Sequence, residues 1–96
     1  MTVHETAAAE RLHAEIVELL REATGEEPDW AAAITPATRL EDDLRIESVE
    51  VTALADLLRR RYGERVDLPA FLAELDIDQL IGLTVGELAA YVARQT

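Results

Sequence analysis

Leu40–Val51, LEDDLRIESVEV, runs from an acid-rich loop into a strongly periodic segment, and its one serine, Ser48, stands at the junction between Glu47 and Glu50. Beyond the junction Val51, Leu54, Ala55, Leu58 and Tyr62 step by three or four residues along one face, which predicts a helix over about 48–62. Gly63 ends it, since glycine readily takes the left-handed conformation that closes a helix. The other side presents Thr52, Asp56, Arg59 and Arg60, and Asp56 reaches both arginines at i+3 and i+4 for about 0.2–0.5 kcal/mol per pair. Arg59, Arg60 and Arg61 read as a solvated face that complements the negative C-terminal end of that helix.

The chain N-terminal to the junction divides in two. From Thr24 to Glu47 there is no sustained period, and Pro28, Pro36 and a cluster of acids make this a loop too long to be a simple connector. Trp30, Ile34, Leu40 and Leu44 are predicted to pin it to the core, with a short helical turn around Asp29–Ala33. Ahead of it a helix is predicted over about 3–23, with Leu12, Ile16, Leu19 and Ala23 at helical spacing and Glu10, Arg11, Glu18 and Arg21 on the other sides. C-terminal to the junction, VDLPAFLAELDIDQLIG (Val66–Gly82) has Pro69 where a first helical turn tolerates it and Asp76 and Asp78 breaking the apolar pattern, which predicts one or two short helices over about 68–81. Thr84 and Glu87 then form a T-x-x-E capping box, with Leu83 and Leu88 at the positions of a hydrophobic staple, so a last helix is predicted over about 84–94. Its core stripe is Val85, Leu88, Ala89 and Val92, and Tyr91 is expected to bury its ring and keep its hydroxyl wet. No segment alternates with period two. The expectation is one all-α domain over 1–96, a bundle of three long helices plus one or two short ones, with the long loop between the first two long helices.

Composition narrows the function. A chain of 96 residues is one small domain, burying about 60–65% of the surface its unfolded form exposes, with no room for a deep substrate cavity. Cysteine is absent, so disulfides, thiolate metal sites and a cysteine nucleophile are excluded, and any thioester must use a borrowed thiol. Twenty acidic residues against nine basic ones give a net charge of −11, which repels nucleic acid and anionic membranes and attracts proteins with basic patches. No run approaches the length of a membrane helix, and charges interrupt the N-terminal apolar positions, so a cytoplasmic monomer is expected.

A serine at a helix start is ordinarily a cap worth about 1 kcal/mol. The same place also suits a phosphodiester, because free backbone N–H groups and the positive helix end favour an anion. Asp43, Glu47 and Glu50 add negative charge around it that does not stabilise an anion, so their natural use is recognition by enzymes with basic surfaces. Val49, apolar and beside Ser48, reads either as a small contact anchor or as a core residue at the helix edge.

ITPATRLEDDLRIESVEV resembles the loop and modification site of acyl carrier proteins, where a pattern of the type D-L-G-x-D-S-L is usual, and LTVGELAAYVA resembles that family's final helix. By this resemblance Ser48 is the serine that carries 4′-phosphopantetheine, Asp43 and Leu44 are the acidic–leucine pair before it, and Glu50 is the acidic position early in the recognition helix. Arg45 stands where glycine is usual, Glu47 where aspartate is usual and Val49 where leucine is usual. Glutamate is a poorer cap than aspartate, and arginine held in a glycine-like conformation costs about 1 kcal/mol.

The resemblance implies that a phosphopantetheinyl transferase moves the arm from coenzyme A to Ser48. The arm's thiol then holds an acyl, polyketide or aminoacyl group as a thioester, while acyl-loading, synthase and thioesterase-type enzymes dock on the acidic face. The absence of fused domains points to a stand-alone carrier. The atypical motif and the long Asp67–Gly82 region lean towards a polyketide or other natural-product pathway over a fatty-acid or peptidyl carrier. Two other classes compete. An enzyme is disfavoured: His4 and His13, the only histidines, are separated by about 900° of helical rotation and face opposite ways, and no loop has the D-x-D-x-D-G pattern of a calcium cage. An acidic adaptor, or a decayed carrier that is no longer modified, differs from a working carrier in tolerating Ser48→Ala.

Overall fold

The computed structural model describes residues 3–96, with side chains from Ala8 onward. Six helices follow in order: α1 (Val3–Thr24), α2 (Pro28–Ala32), α3 (Ser48–Tyr62), α4 (Leu68–Ala73), α5 (Ile77–Ile81) and α6 (Val85–Gln95). Among the described residues there is no strand, only an isolated antiparallel bridge between Arg39 and Thr84. The predicted bundle of three long helices is therefore the observed one. The region over 68–81 resolves into two short helices, and the turn expected near Asp29 is a third, α2.

Helix α1 packs chiefly against α3 and α6. Its buried stripe, Ile16, Val17, Leu19 and Leu20, meets Leu54 and Leu58 of α3 and Val85, Leu88, Tyr91 and Val92 of α6. The stripe is wider than the predicted i, i+3, i+4 set because α1 touches two helices: Val17 and Leu20 are buried, while Leu12 and Ala23 lie at its margins. Gly25 closes α1 at φ 73° and Gly63 closes α3 at φ 100°, both in the region that favours glycine.

Polar ties fix the angles between elements. Tyr62 donates to Glu15 Oε1 at 2.7 Å and joins the end of α3 to α1. Burial first, then the neighbouring Glu15 carboxylate, raises the Tyr62 pKa well above its ordinary value. Asp56 meets Arg59 at 3.3 Å and Arg60 at 3.0 Å, as the spacing predicts. These exposed pairs contribute well under about 1 kcal/mol each.

The long loop is held as the sequence anticipates, with Ile34 buried and Trp30, Leu40 and Leu44 packed against the core. It also does something the sequence does not announce. The Leu40 N–H donates to the Leu83 carbonyl at 3.0 Å, Val85 N–H to Thr38 at 2.8 Å and Gly86 N–H to Pro36 at 2.9 Å. The loop thus satisfies donors in the first turn of α6 that no helix can satisfy internally.

Tyr91 corrects one expectation. Its ring is buried, stacked on Phe71 with centroids 4.3 Å apart. Its hydroxyl is not left to water: it accepts from Asp67 N–H at 2.8 Å and donates to the Asp67 carbonyl at 3.2 Å. This fixes the entry to α4, where the Asp67 carboxylate accepts from the Ala70 N–H at 3.1 Å and caps the helix.

Candidate functional site

The chain enters α3 through a helix-like turn. Asp43 N–H and Leu44 N–H both donate to the Arg39 carbonyl, at 3.2 and 3.1 Å, and Arg45 N–H donates to Glu41 at 3.1 Å. Arg45 then reverses the chain at φ 53°, the sole non-glycine residue with positive φ among those described. This is the glycine-like conformation whose cost the sequence comparison foresaw. Ile46 N–H follows by donating to the Leu40 carbonyl at 3.1 Å, and the backbone extends into α3.

Glu47, with extended φ and ψ, is the N-cap, so Ser48 occupies the first helical position and not the cap. The Glu47 carboxylate approaches the N–H of Glu50 in the outline of a capping box but makes no cap hydrogen bond of ordinary geometry. The reverse half is closed: Glu47 N–H donates to Glu50 Oε1 at 2.9 Å. Ser48 is exposed, and among the described residues its hydroxyl has no hydrogen-bond partner. The ordinary role of a serine here, capping, is thereby taken by its neighbours.

The four residues read as recognition elements fall in different situations. Val49 is 70% exposed, which removes the alternative of a core residue at the helix edge. Glu47 is exposed at the cap. Asp43 is exposed, yet its Oδ2 accepts from the Arg39 N–H at 2.8 Å and holds the turn. Glu50 is half-buried and turned back on Glu47. All four lie within the eight residues Asp43–Glu50 that include Ser48.

Beside this turn is an apolar cleft lined by Ile46, Val51, Leu54, Leu72, Leu80 and Leu83. Helix α5, which gives Leu80 to the cleft, shows two residues that sequence reasoning passed over: Ile77 is 68% exposed and Ile81 39%. A signal was present. Three apolar residues in the five of IDQLI exceed what one buried stripe of so short a helix can take.

Among the described residues no group of histidines and carboxylates could hold a metal ion. His13 Nδ1 is buried without a hydrogen-bond partner among the described residues, and the side chain of His4 lies outside them.

The residues present fit a covalent phosphodiester: a free, uncovered hydroxyl at the first position of a long helix, with first-turn N–H groups that the helix leaves unused. The comparisons bear on the same point. A family model described as a phosphopantetheine attachment site matches residues 14–92, from the middle of α1 to the core of α6. None of the curated proteins and none of the solved structures compared with the chain matches it. With a match over far more than half its length, the chain belongs to the phosphopantetheine-attachment family, as a non-catalytic carrier that holds acyl groups on covalently bound 4′-phosphopantetheine.

Proposed function

We propose that Ser48 Oγ is the attachment atom, within one carrier domain, and that the protein serves a polyketide or other natural-product pathway. The observation that carries the first part is the exposed Ser48 hydroxyl with no partner among the described residues, at the first position of α3 and inside the family-matched stretch. When attached, the arm supplies a terminal thiol that holds the acyl group as a thioester, which this cysteine-free chain cannot supply itself.

The chain's own residues do the rest. In loading, the Ser48 hydroxyl gives up its proton as Oγ bonds to the pantetheine-side phosphorus of coenzyme A, and adenosine 3′,5′-bisphosphate leaves. The first-turn N–H groups of α3 face the new anion. Glu47 presents an exposed charge and Val49 an exposed methyl pair to the docking enzyme. Asp43 and Glu50 act one step back, holding the turn and the helix start through backbone N–H groups while adding to the negative field. Contacts of this kind with the transferase and with loading, synthase and thioesterase-type enzymes are fast and weaken with salt. The pathway reading rests on Arg45, Glu47 and Val49 at positions where housekeeping carriers have other residues, and on two helices in the Asp67–Gly82 region.

Intact-protein mass spectrometry tests the attachment. With coenzyme A and a broad-specificity phosphopantetheinyl transferase, the expected result is one added phosphopantetheinyl group on the native chain and none on Ser48→Ala. Loading of the Ser48→Ala protein, or of neither protein with several transferases, overturns the assignment.

A further inference from the structure

Arg45 combines two features for which the fold has no use. Its backbone is left-handed, at φ 53°, where a side chain crowds its own main chain. Its side chain is exposed and has no ion pair among the described residues. The cations on either side of it in sequence behave otherwise: Arg39 pairs with Asp42 at 3.3 Å, and Arg59 and Arg60 pair with Asp56 at 3.3 and 3.0 Å.

Carboxylates are not scarce around it. Glu41, Asp42, Asp43, Glu47 and Glu50 all lie within five residues of Arg45, which is the one cation from Leu40 to Leu58. Three of them are engaged elsewhere. Asp42 is held by the Arg39 guanidinium, Asp43 Oδ2 accepts from the Arg39 N–H at 2.8 Å, and Glu50 Oε1 accepts from the Glu47 N–H at 2.9 Å. A guanidinium that sits among these acids and pairs with none of them is available to an anion that arrives later.

Ser48 is where one would arrive. Ile46 lines the cleft while Arg45, Glu47 and Ser48 are exposed, so the guanidinium and the hydroxyl stand on the solvent side of one short stretch. Three residues of fully extended chain span at most about 11 Å, which an arginine side chain and a phosphate on Ser48 Oγ cover between them. The unesterified oxygens of a phosphodiester match the planar guanidinium fork, a geometry that favours arginine over lysine. The first-turn N–H groups of α3 draw the anion from the helix side. Asp43, Glu47 and Glu50 oppose it, and Arg45 offsets them from the loop side.

We propose that Arg45 binds the phosphodiester that joins the arm to Ser48 Oγ, a role that rests on Ser48 being the attachment residue. The pair neutralises the charge that attachment adds, and it ties the root of the arm to the turn before α3. Arg45 therefore contributes nothing to the unmodified chain and stabilises the modified one.

The test compares apo and holo forms of the native chain and of Arg45→Gln, the holo forms made with coenzyme A and a broad-specificity transferase and checked by intact mass. In urea unfolding the two apo proteins should share one midpoint. Between the holo proteins the Arg45→Gln midpoint should be lower by about 0.3–0.5 M, the scale of one exposed ion pair divided by the unfolding slope of a small domain. That gap should close as salt approaches about 1 M, where the Debye length is about 3 Å. Phosphorus NMR reads the contact itself: the holo resonance should shift on Arg45→Gln, whereas a purely structural role for Arg45 would leave it in place. If the transferase leaves Arg45→Gln unloaded, the native holo protein alone decides. Its phosphorus resonance should then move with salt towards that of a free seryl phosphodiester, and a resonance that stands still refutes the pairing. Equal midpoint gaps in the apo and holo forms, or a resonance unmoved by the substitution, overturn the role of Arg45 and leave the carrier reading standing. A native chain that no transferase loads, or that is loaded at another residue, overturns both.

Discussion

The first turns of α6 and α3 are built from the same parts, a glutamate three residues into each cap and a loop leading in, yet they are finished in opposite ways. At α6 the Thr84 hydroxyl accepts from the Glu87 N–H at 3.1 Å, and the Glu87 carboxylate accepts from the Thr84 N–H at 3.1 Å. Leu83 and Leu88 are buried on either side, and the loop carbonyls of Thr38 and Pro36 take the next two N–H groups. At α3 the cap is a glutamate without an ordinary cap hydrogen bond, the entry residue is a left-handed arginine, and Ser48 and Val49 face solvent. One end closes the fold; the other leaves a hydroxyl and N–H groups free for chemistry. Strain and exposure concentrated around Ser48 are what a functional site is expected to retain.

The sharpest way to break this contrast is Gly86→Val. A Cβ at position 86 falls 2.9 Å from the Pro36 carbonyl oxygen and 3.1 Å from the Pro36 Cβ, and the first of these is backbone that cannot swing aside. Overpacking at so close an approach should cost about 3 kcal/mol, read as a lower urea midpoint with an unchanged slope. Helix propensity alone predicts a small gain on leaving glycine. A stability equal to or above native would mean that the loop does not seal α6 as described.

A smaller effect compares the two hydroxyls directly. Thr84→Ala removes a working cap and should cost about 1 kcal/mol, whereas Ser48→Ala removes a hydroxyl without a described partner and should change stability by less than about 0.5 kcal/mol. Equilibrium urea unfolding of both variants measures the difference. Equal losses would place Ser48 among the structural caps and remove the asymmetry between the two ends.

How much of this was legible beforehand follows from how local each cause is. The α6 start could be read because T-x-x-E with flanking leucines is a six-residue pattern whose partners are sequence neighbours. The α3 start could be placed at Ser48, but its cap could not: Glu47 and Glu50 make an E-x-x-E that lacks the small hydroxyl residue by which a capping box is recognised. Tyr91 was misread for a different reason, since its hydroxyl partner is the backbone of Asp67, twenty-four residues away, and no pattern within α6 contains it. IDQLI signals an apolar excess but not which residues are left exposed, because periodicity does not say which way a five-residue helix faces once Leu80 has entered the cleft. Local chemistry was therefore readable, and long-range satisfaction of polar groups was not.

Arg45 gives the finest test, because there the entry to the site departs from the residue its conformation prefers. At φ 53° a side chain crowds its own backbone, and glycine does not. Arg45→Gly relieves that crowding but also loosens the unfolded chain, and the two effects oppose each other. The relief should win by about 0.5 kcal/mol, a small rise in the urea midpoint and the one gain among these substitutions. Arg45→Gln keeps the strained backbone and removes only the charge. In the exposed position of Arg45, with no ion pair among the described residues, it should leave the midpoint where it is. If both variants lose stability, the guanidinium is bonded to the acid-rich turn strongly enough to offset its backbone strain, and the way into α3 is reinforced like the way into α6. If glycine alone stabilises, the Ser48 end of the bundle holds removable strain that the α6 end does not.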